Sequence, residues 1–153
     1  MKIRCTEDPT DRDWLQLRGE FFPEDYPGEH QQFLQNLGEQ GRFTAFIAQD
    51  EDGSALGFAE VAIRYDYVNG CQHRPALFLE GIFVRPGNRG RGIARALCAA
   101  AEKFGAGRGL HEFASDVLID DLNSLAAHAA LGFEETERVV YFRKTITKDT
   151  EHD

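Results

Sequence analysis

The chain has 153 residues, of which 42% are hydrophobic and 28% are charged, and its formal net charge is −9. This balance predicts a soluble globular protein with a proper core, because no apolar run approaches the roughly 18 residues of a membrane-spanning helix. The acidic charge disfavours nucleic acid as the main partner and would attract a cationic ligand, although acidity can also serve solubility alone.

The cysteines and the N-terminal residues indicate the cellular compartment of the protein. Cys5, Cys71 and Cys98 are odd in number, widely spaced and form no C-x-x-C pair. Residues 1–14 are too polar for a secretory signal. We therefore expect reduced thiols in the cytoplasm, and no zinc or other metal site.

The N-terminal third predicts a short strand followed by two helices. Residues 2–5 alternate weakly, as a short strand does. The segment Asp8–Asp11 offers an N-cap for a helix that Pro23 ends. A second helix is expected over about residues 30–37, with Gly38 closing it.

Three strands are predicted next. The apolar runs Phe43–Gln49 and Ala55–Arg64 are separated by a turn that contains the Asp-Gly signal of a hairpin. A polar segment with two tyrosines, residues 65–75, leads to a third run, Ala76–Val84. The three runs predict an antiparallel meander.

The second half predicts helices alternating with strands. Apolar side chains recur at a helical period over residues 93–104, and His111–Val117 reads as a short strand. Another helix is expected over residues 122–129, and Phe133–Thr145 is expected to return as a strand before a charged tail from Lys148. This order predicts one α/β or α+β domain, residues 1–153, around a single mixed sheet.

Two features of the stretch Leu77–Ala94 indicate a ligand site. Glu80 is a single carboxylate inside an apolar strand, where burial of a charge is costly. Arg89–Ala94, with the sequence RGRGIA, then joins this strand to the start of a helix. A glycine-rich turn at a helix N-terminus can bind a phosphate, because the first N–H groups of the helix lack partners.

The segment Arg89–Ala94 has the form R-x-x-G-x-A. With it the sequence resembles the GNAT superfamily of acyl-CoA N-acyltransferases, whose pyrophosphate signature is Q/R-x-x-G-x-G/A. Asp121, Ser124, His128 and the Leu-Gly-Phe of residues 131–133 follow the spacing of a later helix of that family. The family usually has Asn where Asp121 stands and Tyr where His128 stands.

A closer resemblance is to the aminoglycoside 6'-N-acetyltransferases. It is carried by residues 66–71, 78–84, 114–116 and 131–138, while the first 50 residues match least. The resemblance implies a mostly antiparallel central sheet flanked by about four helices, in a homodimer. It also implies acetyl-CoA as cosubstrate, no metal, and direct acetyl transfer to the 6'-amine of a cationic aminoglycoside, conferring resistance.

Three side chains are expected to act in catalysis on this resemblance. Glu80 would bind the substrate ammonium and take its proton, directly or through water, and Asp116 would orient the amine. His128 would donate to the departing CoA thiolate in place of the family tyrosine. The alternatives are that Glu80 pairs with an arginine or faces solvent, that Asp116 caps a helix or loop, and that His128 packs its helix.

The expected binding residues fall into two sets. The cofactor set comprises strand, loop and helix residues: Ile82, Phe83, Val84, Arg89, Gly90, Arg91, Gly92, Ile93, Ala94, Asp121 and Ser124. The strand N–H of Ile82 or Phe83 would bind the oxyanion. The substrate set adds Tyr67, Glu24 and Asp25 to Glu80 and Asp116, although a solvated loop is the simpler interpretation of Glu24 and Asp25.

Two other functions compete with this one. A related acetyltransferase could act on a polyamine or another small amine, since substrate scope can change with a few loop residues. A non-catalytic CoA-binding regulatory module would keep Arg89–Ala94, but it would not need an acid at position 80.

Overall fold

Five strands form one sheet, and their order across the sheet is their order along the chain. The structure, a computed structural model, describes residues 1–23, 27–39 and 43–148. Within these residues the strands are β1 Lys2–Thr6, β2 Phe43–Gln49, β3 Ala55–Arg64, β4 Ala76–Val84 and β5 Phe113–Ala114. The helices are α1 Arg12–Phe21, α2 Pro27–Glu39, α3 Ile93–Gly107 and α4 Leu122–Ala130. None of the helices in these ranges is both long and apolar enough to cross a membrane.

The sheet is mixed and mostly antiparallel, as predicted. Strands β1 to β4 pair antiparallel, whereas β5 pairs parallel with β4 after the crossover through α3. The predicted bounds of β2, β3 and β4 are confirmed, because apolar runs and a hairpin turn define them locally. Helix α2 begins at Pro27, earlier than expected, and β5 is much shorter than the expected His111–Val117.

Helices cover both faces of the sheet. On one face, α3 packs through a cluster that includes Leu77, Leu79, Leu97 and Ala101. On the opposite face, α1 and α2 pack through a cluster that includes Trp14, Leu17, Leu34 and Phe58. The strands β2 to β4 are therefore apolar on both faces, which explains their nearly continuous apolar sequences.

Strand β4 carries a bulge at Glu80. Strand β3 pairs Glu60 with Gly81 and the next residue, Val61, with Leu79, so Glu80 is an extra residue opposite β3. Side chains alternate along a regular strand, and the extra residue breaks this alternation. Leu79 faces α3, whereas Glu80 and Gly81 both lie on the opposite face. The alternation therefore breaks between Glu80 and Gly81, and the single carboxylate of β4 lies on the face away from α3.

The residues after α4 do not form the predicted strand. We expected Phe133–Thr145 to return as a strand, and this prediction is wrong, because residues 133–148 (the C-terminal segment) contain neither strand nor helix. Several large side chains of the C-terminal segment are between 49% and 94% exposed: Val139, Val140, Tyr141, Phe142 and Ile146. A strand needs a neighbour that completes its backbone hydrogen bonds, and the described part of this chain supplies none here.

Candidate active site

The predicted phosphate loop lies between β4 and α3. A 3₁₀ turn, Pro86–Asn88, follows β4, and the 15-residue helix α3 begins at Ile93. Gly90 and Gly92 both have φ of 78°, a left-handed conformation that residues with side chains rarely adopt. A Cβ on either glycine would meet no atom within 4 Å. The loop is therefore open, and the helix N-terminus behind it can bind an anion.

The two arginines of the loop make hydrogen bonds within it, and Ile93 packs in the core. Arg89 Nε donates to the carbonyl oxygen of Val84 at 3.0 Å, and Arg91 Nη1 donates to Asn88 Oδ1 at 2.8 Å. Each guanidinium has five N–H donors, so these single bonds fix the loop without using up its capacity to bind a phosphate. Ile93 is only 2% exposed and packs in the core, so its side chain anchors α3.

One edge of β4 is open beside this loop. β5 pairs with β4 only at Leu77 and Phe78, so among the described residues no strand borders positions 79–84 on that side. The open edge includes three residues expected to bind the cofactor, Ile82, Phe83 and Val84. Backbone N–H groups on such an edge can bind an extended ligand or an oxyanion.

Glu80 is paired with an arginine. Arg64 Nε and Nη2 donate to the two carboxylate oxygens of Glu80, each at 3.0 Å. The guanidinium carbon of Arg64 lies 3.4 Å from the centre of the Phe78 ring, which fixes the orientation of the fork. The side chain of Glu80 is 20% exposed. A two-pronged arginine contact has a defined geometry, so it fixes the orientation of the Glu80 carboxylate at the surface of the sheet.

A cavity of about 300 Å³ adjoins this ion pair. It is lined by Arg64, Tyr65, Asp66 and Tyr67. Arg64 lines this cavity and also binds Glu80, so the predicted substrate residues Tyr67 and Glu80 both lie beside Arg64. Aromatic faces and carboxylates together suit a cationic sugar. The other two predicted wall residues, Glu24 and Asp25, lie outside the described residues.

Asp121 and Ser124 contact each other at the start of α4. Asp121 is the N-cap of this helix, and its carboxylate accepts hydrogen bonds from the backbone N–H of Ser124 at 3.1 Å and from the Ser124 hydroxyl at 2.8 Å. These hydrogen bonds from Ser124 lower the pKa of Asp121. The two residues therefore have a capping function that is independent of any cofactor.

His128 lies on the last turn of α4 and contacts Ser115, the residue after β5. Its Nε2 atom lies 2.7 Å from Ser115 Oγ, and its Nδ1 atom lies 2.8 Å from the carbonyl oxygen of Ser124. The ring of His128 also packs at 5.1 Å from the ring of Phe133. His128 thus has a partner at each nitrogen, and one of them is a side-chain hydroxyl next to the open edge of β4.

Comparisons with known proteins agree with this arrangement. The sequence profile of the Acetyltransferase (GNAT) family matches residues 12–133. The chain is 44% identical over 146 residues to an aminoglycoside N(6')-acetyltransferase type 1 from Serratia marcescens. The matched residues cover 95% of this chain and 99% of the relative. The chain belongs to the GNAT acetyltransferase family.

Solved structures of GNAT enzymes have the same fold. The structure of AAC(6')-Iy in complex with the bisubstrate analogue CoA-S-monomethyl-acetylneamine is 41% identical, with a TM-score of 0.86 and coverage of 95% of this chain and 98% of that one. The 6'-N-acetyltransferase AAC(6')-Ih from Acinetobacter baumannii is also 41% identical, with a TM-score of 0.85 and coverage of 95% and 100%.

The sequence did not predict the contacts between the candidate site residues. Neither Arg64 nor Ser115 was singled out, although each contacts a predicted catalytic residue. Asp116 is exposed two residues after β5, and no contact of the described residues joins it to Glu80. No group of three or more His, Cys, Asp and Glu side chains within the described ranges could hold a metal ion.

A buried polar cluster beneath the GNAT site was also missed. Glu60 of β3 is 3% exposed, and its Oε1 accepts hydrogen bonds from Arg18 and, at 2.7 Å, from Trp14 Nε1. Arg18 Nε donates to His30 Nδ1 at 3.2 Å. Burial raises the pKa of Glu60, while the positive charge of Arg18 opposes this shift. The cluster ties α1 and α2 to the strand that borders the bulge at Glu80.

Proposed function

We propose that this chain transfers the acetyl group of acetyl-CoA to the 6'-amino group of aminoglycosides and so confers resistance to them. The observation that carries the proposal is 44% identity across 99% of the Serratia marcescens aminoglycoside N(6')-acetyltransferase. The similar AAC(6')-Iy structure, with its bisubstrate analogue of CoA and acetylneamine, supports the pairing of these two substrates.

Acetyl-CoA would occupy the loop and the open edge of β4. The segment Arg89–Ala94 and the N-terminus of α3 would bind the pyrophosphate, and α4 would border the cofactor with Asp121 and Ser124. Residues 82–84 would bind the chain of the cofactor along the open edge. An N–H of Ile82 or Phe83 would then stabilise the oxyanion when the amine attacks the thioester.

The aminoglycoside would bind beside Glu80. A sugar amine is mostly protonated near neutral pH and must lose a proton before it attacks, so the carboxylate of Glu80 would bind the ammonium and accept that proton. Arg64 binds both carboxylate oxygens of Glu80 in the free protein, and a substrate cation would share this carboxylate with it. Asp116 would orient the amine, and Tyr67, Glu24 and Asp25 would form the walls of the site.

The test is release of free thiol from acetyl-CoA in the presence of a panel of amines. We expect kanamycin-type compounds with a 6'-amine to react and matched analogues with a 6'-hydroxyl to remain unmodified. Equal rates with both types would contradict the assigned position, and reaction with simple polyamines alone would favour the competing small-amine acetyltransferase.

Replacement of Gly92 by valine tests the phosphate loop. A β-branched residue is strained at φ of 78°, at a cost on the order of 1–2 kcal/mol, and its side chain would stand in the open loop. We expect Gly92→Val to weaken CoA binding about tenfold, as measured by isothermal titration calorimetry.

Gly107 provides the matched control for this variant. It lies at the other end of the same helix, where a Cβ would meet no atom within 4 Å and φ is not positive. Gly107→Val should leave the affinity for CoA close to that of the wild type. Unchanged affinity in Gly92→Val would remove this residue from the cofactor site.

We also propose that the protein is a cytoplasmic homodimer. All three cysteines are free thiols, which fits a reducing compartment. The exposed apolar side chains of the C-terminal segment support a dimer, because a second copy could cover them and supply a neighbouring strand that completes the backbone hydrogen bonds.

Charged substitutions in the C-terminal segment test the dimer. Val140 and Phe142 are 74% and 91% exposed and would lie on one face of an extended strand. We expect Val140→Asp/Phe142→Asp to shift the mass measured by light scattering from dimer to monomer, since buried unpaired carboxylates oppose association. Thr145→Asp, at a polar position of the same segment, should remain dimeric. A wild-type monomer at tens of micromolar would contradict the proposal.

A further inference from the structure

Ser115 and His128 form a side-chain pair where strands β4 and β5 separate. The last paired positions of the two strands are Phe78 and Ala114, and Ser115 is the next residue of the chain. Its Oγ atom lies 2.7 Å from His128 Nε2. The pair is half-buried and lies beside the open edge of β4, where the proposed function places the thioester.

The second nitrogen of His128 determines where its mobile proton lies. Nδ1 is 2.8 Å from the carbonyl oxygen of Ser124. A carbonyl oxygen can only accept a hydrogen bond, so Nδ1 carries a hydrogen in both the neutral and the cationic ring. Proton exchange is therefore confined to Nε2, the nitrogen that faces Ser115.

The hydroxyl of Ser115 reverses its direction with the charge of this ring. When His128 is neutral, Nε2 has a lone pair and the Ser115 hydroxyl donates to it. When His128 is cationic, Nε2–H donates to Ser115 Oγ, and the serine proton is free to point to another acceptor. A hydroxyl that accepts a hydrogen bond from a protonated imidazole can donate its own proton and take a proton from the imidazole in return.

Acidic side chains and one aromatic ring lie near His128. Asp121 at the N-cap of α4 interacts electrostatically with His128, and Asp116 is the neighbour of Ser115 in the chain. The only cation of α3 that contacts α4 among the described hydrogen bonds is Arg95, which donates to the carbonyl oxygen of Ala130 at 2.8 Å. The ring of Phe133 packs against His128 at an interplanar angle of 53° and restricts rotation of the imidazole.

We propose that Ser115 is the group that protonates the departing CoA sulfur and that His128 acts through it as a positioning residue and proton source. This inference rests on the proposed acetyl transfer from acetyl-CoA. It replaces the direct donation by His128 that the family resemblance implied with a two-residue relay.

The proton balance of the relay is complete. The ammonium first gives one proton to Glu80, which passes it to solvent. The neutral amine then forms the new C–N bond and loses a second proton to Glu80, and the C–S bond breaks with its electron pair on sulfur. Ser115 gives its hydroxyl proton to that sulfur and takes the Nε2 proton of His128 in return. The ring ends as the neutral Nδ1–H form, still bonded to the Ser124 carbonyl, and both Glu80 and His128 exchange protons with solvent before the next cycle.

Three variants test the relay in single-turnover acetylation of a 6'-amino aminoglycoside. Ser115→Ala removes the donor, Ser115→Thr keeps a hydroxyl, and His128→Gln keeps an N–H that can bond to Ser115 but cannot give up its proton. We expect Ser115→Ala and His128→Gln each to slow the chemical step ten- to a hundredfold, with the Kd for acetyl-CoA and the Tm unchanged. Ser115→Thr should recover most of the rate.

The double variant and a control complete the design. Ser115→Ala/His128→Gln should be no slower than either single variant, because two residues of one relay act as a unit. His111→Gln, an exposed histidine outside the site, should keep the wild-type rate. A rate loss below twofold in His128→Gln, or a weaker Kd and lower Tm with an unchanged chemical step, would overturn the relay and leave a structural pair. A wild-type protein that acetylates no amine would overturn the proposed function and the relay together.

Discussion

Glu80→Gln is expected to lower the turnover of acetyl transfer to a 6'-amine by about a hundredfold or more, because a positioned general base contributes about 10²- to 10⁴-fold. The loss should be largest below the pKa of the substrate amine, where the amine arrives as an ammonium that must lose a proton. Above that pKa the amine arrives neutral, and the variant should approach the wild type. The measurement is the pH–rate profile of thiol release, with the Kd for CoA as a check that the cofactor site is intact.

The ion pair with Arg64 makes a second variant necessary. If Glu80 serves only to bind Arg64, then Arg64→Met should reduce turnover as much as Glu80→Gln. If Glu80 acts on the substrate, Arg64→Met should reduce turnover less, because it leaves the carboxylate in place. Glu102→Gln, at an exposed position of α3, is the control for loss of one negative charge. A wild-type pH–rate profile in Glu80→Gln would exclude Glu80 as the proton acceptor.

The elements that the sequence predicted well are those whose signals are local. The strands β2 and β3 follow from apolar runs around an Asp-Gly turn, and Gly53 in that turn has φ of 87° as the turn requires. The position of the proposed phosphate loop was predictable because Gly90 and Gly92 lie within one short connection between a strand and a helix. Its proposed chemistry depends on backbone N–H groups at a helix start, which the sequence pattern indicates directly.

The contacts that the sequence did not predict depend on pairing between distant parts of the chain. The bulge at Glu80 exists only because β3 pairs with both sides of it, and the same pairing places Arg64 within reach of the carboxylate. Ser115 and His128 meet because α4 returns across β5. No short sequence pattern encodes either contact. Pairing of Glu80 with an arginine was therefore only an alternative to its catalytic role, and the arginine was not identified.

The error in the C-terminal segment has a different physical cause. Its run of β-branched and aromatic residues, Val139–Phe142, fits a strand, but such a run does not specify which neighbour completes the hydrogen bonds. Within the described chain β5 is too short to offer a long edge, since it pairs at two positions only. The pattern therefore predicts a strand whose partner is outside the single chain, as the proposed dimer requires.

Glu60→Gln is expected to lower the free energy of unfolding by about 3–5 kcal/mol, because it leaves the guanidinium of Arg18 buried without its counter-charge. Arg18 is 5% exposed and Glu60 is 3% exposed, so water cannot replace the lost partner. The amide can still accept the hydrogen bond from Trp14, which isolates the effect of the charge. The measurement is urea unfolding at one fixed protein concentration, since a dimer links apparent stability to concentration.

The exposed ion pair between Glu20 and Arg85 is the matched control, because it also joins α1 to the end of the sheet. Its closest distance is 2.7 Å, but its side chains are 38% and 26% exposed, so Glu20→Gln should cost less than about 1 kcal/mol. The double variant Arg18→Met/Glu60→Leu should recover much of the stability lost in Glu60→Gln, since it removes the unpaired charge and the desolvation cost together. A similar small loss of unfolding free energy in Glu60→Gln and Glu20→Gln would show that Arg18 reaches solvent in solution. The buried cluster would then contribute little to the packing of α1 and α2 against the sheet.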